Sequence, residues 1–254
     1  DVVDTLALLR KAIDTLLALW PLPDAVLLSG DLTNDGEPEA YALLRPELAR
    51  LPMRVYAVPG NHDDRVAMLR LADVAELGVA GPFRQFATDL GSLRLLGLDS
   101  LVPGEAHGEL CDARIAWLEG ELERATERRV LIMVHHPPPA TGIAFMDSIG
   151  LRSPPALEAV LDRHAGHIER IVSGHVHRSV FYRWRGIPVS IGPGVAHQVT
   201  LALDGSAATF VLEPPSFHLH RWTESEGLVT HQIYTGDYPG PYRFSGNPQA
   251  ADIG

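Results

Sequence analysis

The sequence predicts an α/β sandwich that becomes β-rich toward its C-terminus. Three observations carry this prediction. Short apolar runs alternate with helical segments from the N-terminus to about residue 173, which is the rhythm of β-loop-α-β units. After residue 178 the pattern changes to short alternating segments with tight turns, the mark of antiparallel strands. No internal repeat and no long linker divides the 254 residues.

The elements follow in chain order. Residues 4–19 place Leu6, Leu9, Ile13, Leu16 and Leu17 on one face of a helix. Residues 24–30 are an apolar run ending in glycine, read as a buried strand. A helix over 37–50 begins with Pro38 in its first turn, where a missing amide hydrogen costs nothing. Residues 54–58 form a second strand, stopped by Pro59-Gly60. Strands are expected at 92–99 and 129–134, with a helix around 112–126 between them. A helix around 154–165 precedes a strand over 168–173. Antiparallel segments are expected at 179–184, 187–191, 207–213, 216–222 and 228–234. Residues 1–235 read as one domain. Residues 236–254, with little apolar content beyond Tyr242 and Phe244, read as a surface tail.

Composition narrows the classes of function. A hydrophobic fraction of 46% supports one sizeable core. The formal net charge of -11 repels nucleic-acid backbones and anionic membranes, and no basic stripe offsets it. The single Cys111 rules out an internal disulfide and a cysteine-based zinc cluster. No apolar run approaches the roughly 20 residues that span a bilayer. The run 6–20 is broken by Arg10, Lys11 and Asp14, so it does not read as a signal peptide. A cytoplasmic protein is expected.

Four motifs carry the chemistry. They are Gly30-Asp31, Gly60-Asn61-His62-Asp63, His135-His136-Pro137-Pro138 and Gly174-His175-Val176-His177. Each follows an apolar strand, and strand carboxyl ends are where sites assemble in α/β folds. A carboxylate can bridge two cations. Imidazoles bind Zn, Fe, Ni or Co, and an amide oxygen is a weaker ligand. Paired metals can neutralise phosphate oxygens, which a protein this acidic needs if it handles phosphate. Each motif alone has a bland alternative. Asp31 suits a turn or cap, Gly60-Asn61 a turn, and the histidine pairs an ordinary strand end. All four on strand ends make a shared site the better reading. His107, His164 and His167 are expected on the surface or in loops, and His218 and His220 on a sheet face.

These motifs resemble the calcineurin-like metallophosphoesterase signature. The surroundings (residues 23–31, His135 to Pro138 with Met146-Asp147, and Gly194-Val-Ala-His197-Gln198) are similar to a bacterial branch. That branch holds glycerophosphodiesterases and class III cyclic-nucleotide phosphodiesterases. The resemblance implies a four-layer αββα sandwich of two mixed β-sheets flanked by helices, with β-hairpins at the C-terminus. It implies a dinuclear centre of two divalent metal ions (Fe, Mn, Zn or Co). In it Asp31 bridges, Asn61, His135 and His175 complete one site, and His177 serves the other. It places His62 near the phosphate, assisting the leaving group, with Asp63 orienting His62 or its loop. His197 is expected near the substrate pocket, walled by the loop 139–153 and the C-terminal hairpins.

The implied reaction is hydrolysis of small phosphodiesters, glycerophosphodiesters or cyclic nucleotides, by in-line attack of a metal-bound hydroxide. The alternatives are a phosphomonoesterase of the same superfamily and a non-catalytic relative with an incomplete metal site. A small-molecule substrate and a homo-oligomer are implied as partners, and neither nucleic acid nor membrane. One departure matters. The family opens on a strand ending in Asp-x-His, which supplies two further ligands to the second metal, and no residue pattern here matches it. The expectation is that about 30 residues preceding Asp1 are missing. The second metal then keeps Asp31 and His177 alone, and its site is expected to be weak or empty in this chain.

Overall fold

The computed structural model describes residues 3–138, 141–152, 154–206 and 208–243. Its first helix, α1 (Thr5–Leu17), is capped by Asp4, whose carboxylate accepts from the Ala7 amide at 3.0 Å. Then come β1 (Ala25–Leu28), α2 (Pro38–Leu48), β2 (Arg54–Ala57) and a 3₁₀ turn, Ala67–Leu71. Strands β3 (Phe86–Leu90), β4 (Leu93–Leu98) and β5 (Gly108–Glu109) lead to α3 (Asp112–Arg124). Next are β6 (Arg129–Val134), α4 (Ala144–Ser148), β7 (Leu151–Arg152), α5 (Pro155–His164) and β8 (Ile168–Ser173). The chain continues with β9 (Val180–Trp184), β10 (Ile187–Ile191), β11 (Gln198–Val199) and β12 (Phe210–Val211). It closes with β13 (Ser216–Thr223) and β14 (Gly227–Tyr234).

The main sheet has the order β3-β4-β6-β8-β10-β9. Its inner strands β4, β6, β8 and β10 are parallel, and β3 and β9 pair antiparallel at the edges. Alternation along each strand then sets the layers. Leu96 and Leu98 of β4, with Val130, Ile132 and Val134 of β6, face Leu118 and Leu122 of α3 and Val160 and Leu161 of α5. Their neighbours Leu93, Leu95, Leu131 and Met133 face the other way, onto Ala25 and Leu27 of β1 and Tyr56 of β2. Val26, Leu28, Val55 and Ala57 point outward again, onto Tyr41, Leu44 and Leu48 of α2. Burying a large aliphatic side chain is worth about 1.5–3 kcal/mol, so this partition drives the layering.

The layers therefore run helix, sheet, sheet, helix. The second β layer consists of separate pairs: β1 and β2 are parallel, and β13 and β14 form an antiparallel hairpin. Leu228 and Trp222 of that hairpin join the same core as β1 and β2. One sequence expectation changes. The strand expected at 207–213 shrinks to Phe210–Val211. The segments 179–184 and 187–191 pair antiparallel, as expected. They turn through Arg185 and Gly186, at φ 50° and 78°, and β10 then pairs with β8, so they widen the main sheet. After β14 the chain returns to α1, where the Gly236 amide reaches Thr15 Oγ1 at 3.3 Å. The end of the expected tail, residues 244–254 with Phe244, lies outside the described residues, as do 139, 140 and 153 of the expected pocket wall. Among the described residues no helix is long and apolar enough to cross a membrane.

Candidate metal centre

Parallel pairing puts the carboxyl ends of β1, β2, β6 and β8 at one edge of the sandwich. Asp31, Asn61, His135 and His175 follow those ends, and the structure brings all four together. From His135 Nε2, Asp31 Oδ2 lies at 3.2 Å, Asn61 Oδ1 at 3.3 Å and His175 Nδ1 at 3.3 Å. His135 Nδ1–H donates to the Ser29 carbonyl at 2.7 Å, which leaves Nε2 carrying a lone pair. Three electron-rich atoms thus gather around His135 Nε2. A tetrahedral ion with ligand bonds of about 2.0–2.1 Å separates its ligands by roughly 3.4 Å. The three distances from His135 Nε2 match that spacing, so a cation beside Nε2 would have these donors within reach.

The electrostatics agree. Burial opposes the Asp31 charge, but His135, the His62 amide and the His62 ring hold its pKa well below the usual carboxylate range. Burial likewise opposes charge on His135, and Asp31 with the Ser29 carbonyl outweighs it, raising that ring's pKa. A proton there plays the part a metal would take. Burial, with His135 adding repulsion, pushes His175 down to about 3, so the ring stays neutral and able to ligate.

His177 sits beside this cluster, among Asp31, His135, His62 and His197. Its buried Nδ1 has no hydrogen-bond partner among the described residues. Burial and the neighbouring His197 lower its pKa to about 4. The two rings stand 4.7 Å apart, and Phe210 packs on His197 at 5.0 Å.

The backbone is strained where the site forms. Asp31, His175 and His177 adopt φ values of 53°, 68° and 52°, a left-handed conformation uncommon outside glycine. The flanking glycines make room. A Cβ on Gly30 would lie 2.5 Å from His135 Nδ1, and one on Gly60 would lie 2.1 Å from Asp31 Oδ1.

Asp63 and His62 stand behind and beside the donors. The buried Asp63 carboxylate accepts from the amides of Leu32 and Gly60 and from the Tyr41 hydroxyl, at 2.8–3.2 Å. It therefore clamps the loops that carry Asp31 and Asn61. The His62 amide donates to Asp31 Oδ1 at 3.0 Å, and its ring Nδ1–H to the Asn34 carbonyl at 2.8 Å. That fixes the ring at the wall of a cleft of about 530 Å³, lined also by Asp35, Asp64, Arg65 and Leu101.

Two further histidines are buried. His107 lies in a loop, as expected, but is buried at 6% exposure. His136 is fully buried against the rings of His135 and His175. The tandem His135-His136 was visible, but the role of its second member was not. Tyr41 went unnoticed because a helix tyrosine reads as plain core.

Carboxylate, amide and imidazole groups gathered at the strand ends of an αββα sandwich are the arrangement expected of a phosphoesterase-type hydrolase. The profile of the calcineurin-like phosphoesterases matches residues 1–179, and the chain belongs to that family. A probable glycerophosphodiester phosphodiesterase of Arcobacter nitrofigilis is 36% identical over 227 residues, covering 89% of this chain and 83% of that protein. A probable cyclic nucleotide phosphodiesterase of Rhodopseudomonas palustris is 34% identical over 219 residues, covering 85% and 79%. The fold is also that of a dimetal phosphatase from Danio rerio, with TM-score 0.62, 17% identity and coverage of 91% and 89%. Similarity to these phosphodiesterases makes the chain a hydrolase of that kind.

Proposed function

We propose that this hydrolase cleaves small phosphodiesters at a centre of two divalent metal ions. Asp31, Asn61, His135 and His175 would hold one ion, and Asp31 with His177 would begin the shell of the other. The convergence of four lone-pair donors at 3.2–3.3 Å carries this reading. Metals held there would supply Lewis-acid charge for the phosphate oxygens and lower the pKa of water.

The chain's own groups do the rest. Asp63 fixes the two ligand loops through the Leu32 and Gly60 amides. His62, its Nδ1–H held by Asn34, keeps Nε2 for the cleft it lines. Protonated there, it can donate to the departing alkoxide as the P–O bond breaks opposite the attacking water. Besides the His62 imidazole, the cleft offers the carboxylates of Asp35, Asp63 and Asp64, the carboxamides of Asn34 and Asn61 and the Arg65 guanidinium, and no Phe, Tyr or Trp. That suits a polyol or amino-alcohol leaving group, so glycerophosphodiesters are the first choice. The half-exposed Phe210 beside His197 favours the second reading, a cyclic nucleotide whose base stacks there.

The test is turnover of bis(p-nitrophenyl) phosphate by metal-reconstituted protein, followed by glycerophosphocholine against 3′,5′- and 2′,3′-cyclic AMP. Absence of turnover with Mn(II) or Co(II) present defeats the proposal. A preference for either natural substrate decides between the two classes.

A further inference from the structure

The buried His136 has no part in the ligand set, yet it touches both ligand rings. Its centroid lies 4.7 Å from that of His135, edge-on at 89°, and 4.7 Å from that of His175, tilted by 52°. All three rings are buried, His135 and His136 at 0% exposure and His175 at 6%. Three clustered histidines suggest a three-histidine metal site. Their ligand atoms all lie within 4.8 Å of one another. The hydrogen bonds of His136 nonetheless set it apart from the donors around His135 Nε2, which lie at 3.2–3.3 Å from that atom.

Both nitrogens of His136 are also spent. Nε2–H donates to the Ala106 carbonyl at 3.2 Å, and Nδ1 accepts from Ser100 Oγ–H at 2.8 Å. Turning the ring toward an ion would break both bonds and strand two buried polar groups. The strap from Ser100 to Glu109 is pressed against the ring. A Cβ on Gly108 would lie 2.3 Å from His136 Nδ1 and 2.4 Å from Cγ. The strap is itself tied down, with the Glu109 amide on Ser100 O at 3.0 Å and the Gly108 amide on Gly150 O at 3.2 Å.

We propose that His136 is a positioning residue: a hydrogen-bonded wedge, oriented by Ser100 and Ala106, that fixes the ring planes of His135 and His175 for metal binding. This rests on the metal-centre reading above, but not on the identity of the substrate. Ligand orientation from behind typically sets metal affinity within a factor of 10–100. The effect must therefore appear in binding itself.

The experiment titrates metal-free protein with Co(II), following the visible d–d bands, the affinity and the stoichiometry. It compares wild type with His136→Phe, His136→Ala, Ser100→Ala and, as a true ligand loss, His135→Ala. His136→Phe keeps the wedge and loses its bonds. It should weaken binding by less than about tenfold, with the wild-type band pattern. His136→Ala should weaken binding roughly 10–100-fold at unchanged stoichiometry, and with altered bands. Ser100→Ala, remote from the ion and small enough to fold, should fall with His136→Phe.

Wild-type affinity and bands in both His136→Ala and Ser100→Ala overturn the proposal. A His136→Phe protein that matches His135→Ala in lost affinity and band shift also overturns it, since His136 would then be a ligand. Wild-type Co(II) binding without phosphodiester turnover would refute the proposed function alone.

Discussion

The Tyr41 hydroxyl donates to Asp63 Oδ1 at 2.8 Å and accepts from the Asp64 amide at 3.0 Å. Through this bond α2 is fastened to a carboxylate that also holds Leu32 and Gly60. Burial and the Asp63 charge raise the phenol's pKa, so it remains a donor. Burial likewise raises that of Asp63, against the bonds it accepts. Tyr41→Phe removes one donor from a buried carboxylate and should cost about 1–3 kcal/mol in urea unfolding. It should also weaken Co(II) binding, because both ligand loops lose their brace. Unchanged stability together with unchanged binding would mean that the brace is idle.

Gly60 is required by space and not by backbone angle. A Cβ there would meet Asp31 Oδ1 at 2.1 Å and the Asp31 amide at 2.4 Å. Gly60→Ala should therefore push Asp31 out of place and lower metal affinity by roughly tenfold or more. Gly166 is the control, since nothing lies within 4 Å of a Cβ placed there. Gly166→Ala should bind metal as wild type does. Equal affinity in both variants would show that Asp31 tolerates the displacement.

The layer order and the convergence of Asp31, Asn61, His135 and His175 were legible because both rest on local pattern. Apolar runs ending in Asp31, Asn61, His135 and His175 mark strand ends, and parallel pairing does the rest. The Arg185-Gly186 turn was equally local, but the pairing of β10 with β8 was not. It depends on which edge of the main sheet stands open, a non-local fact. His136 and Tyr41 stayed hidden for a related reason. Each acts through partners far along the chain, Ser100 and Ala106 for one and Asp63 for the other. No spacing rule links such positions. The strand expected at 207–213 is short because exposed Leu212 and Phe210 mimic a half-buried pattern, while the one partner strand, β11, is itself two residues long.

The C-terminal hairpin should make the fold acid-sensitive. His218 and His220 lie on β13, bonded to Ser179 Oγ at 3.0 Å and Thr230 Oγ1 at 2.9 Å. Burial and the nearby Arg170 lower His218 to about 4. Burial, His218 and Arg170 lower His220 to about 3. Both values lie below the 6.5 of an unfolded histidine. Between these limits the unfolded chain binds protons that the native state refuses, so stability falls as pH drops from 6.5 toward 4 and levels off below 3. Each ring contributes at most about 1.4 kcal/mol per pH unit, and less at the partly solvated His218. Thermal unfolding in EDTA should show a shallower acid decline for His218→Gln/His220→Gln than for wild type. Parallel curves would place the acid sensitivity elsewhere.

His62 offers the sharpest separation of chemistry from metal binding. It bonds to Asp31 only through its main-chain amide, while its ring is held by the Asn34 carbonyl. Replacing the ring therefore leaves the four-donor cluster intact, and His62→Ala should bind Co(II) with wild-type affinity and bands. Turnover should fall, because a general acid typically contributes 10²–10⁴-fold. The size of the fall must depend on the leaving group. A choline or glycerol alkoxide needs a proton as the P–O bond breaks, whereas p-nitrophenolate is stable without one. His62→Ala should thus lose roughly 10²-fold or more in kcat on glycerophosphocholine, and much less on bis(p-nitrophenyl) phosphate. Equal losses on both would make His62 a charge-stabilising group on the phosphate and not a proton donor. A loss of Co(II) affinity would instead tie the ring to the metal shell.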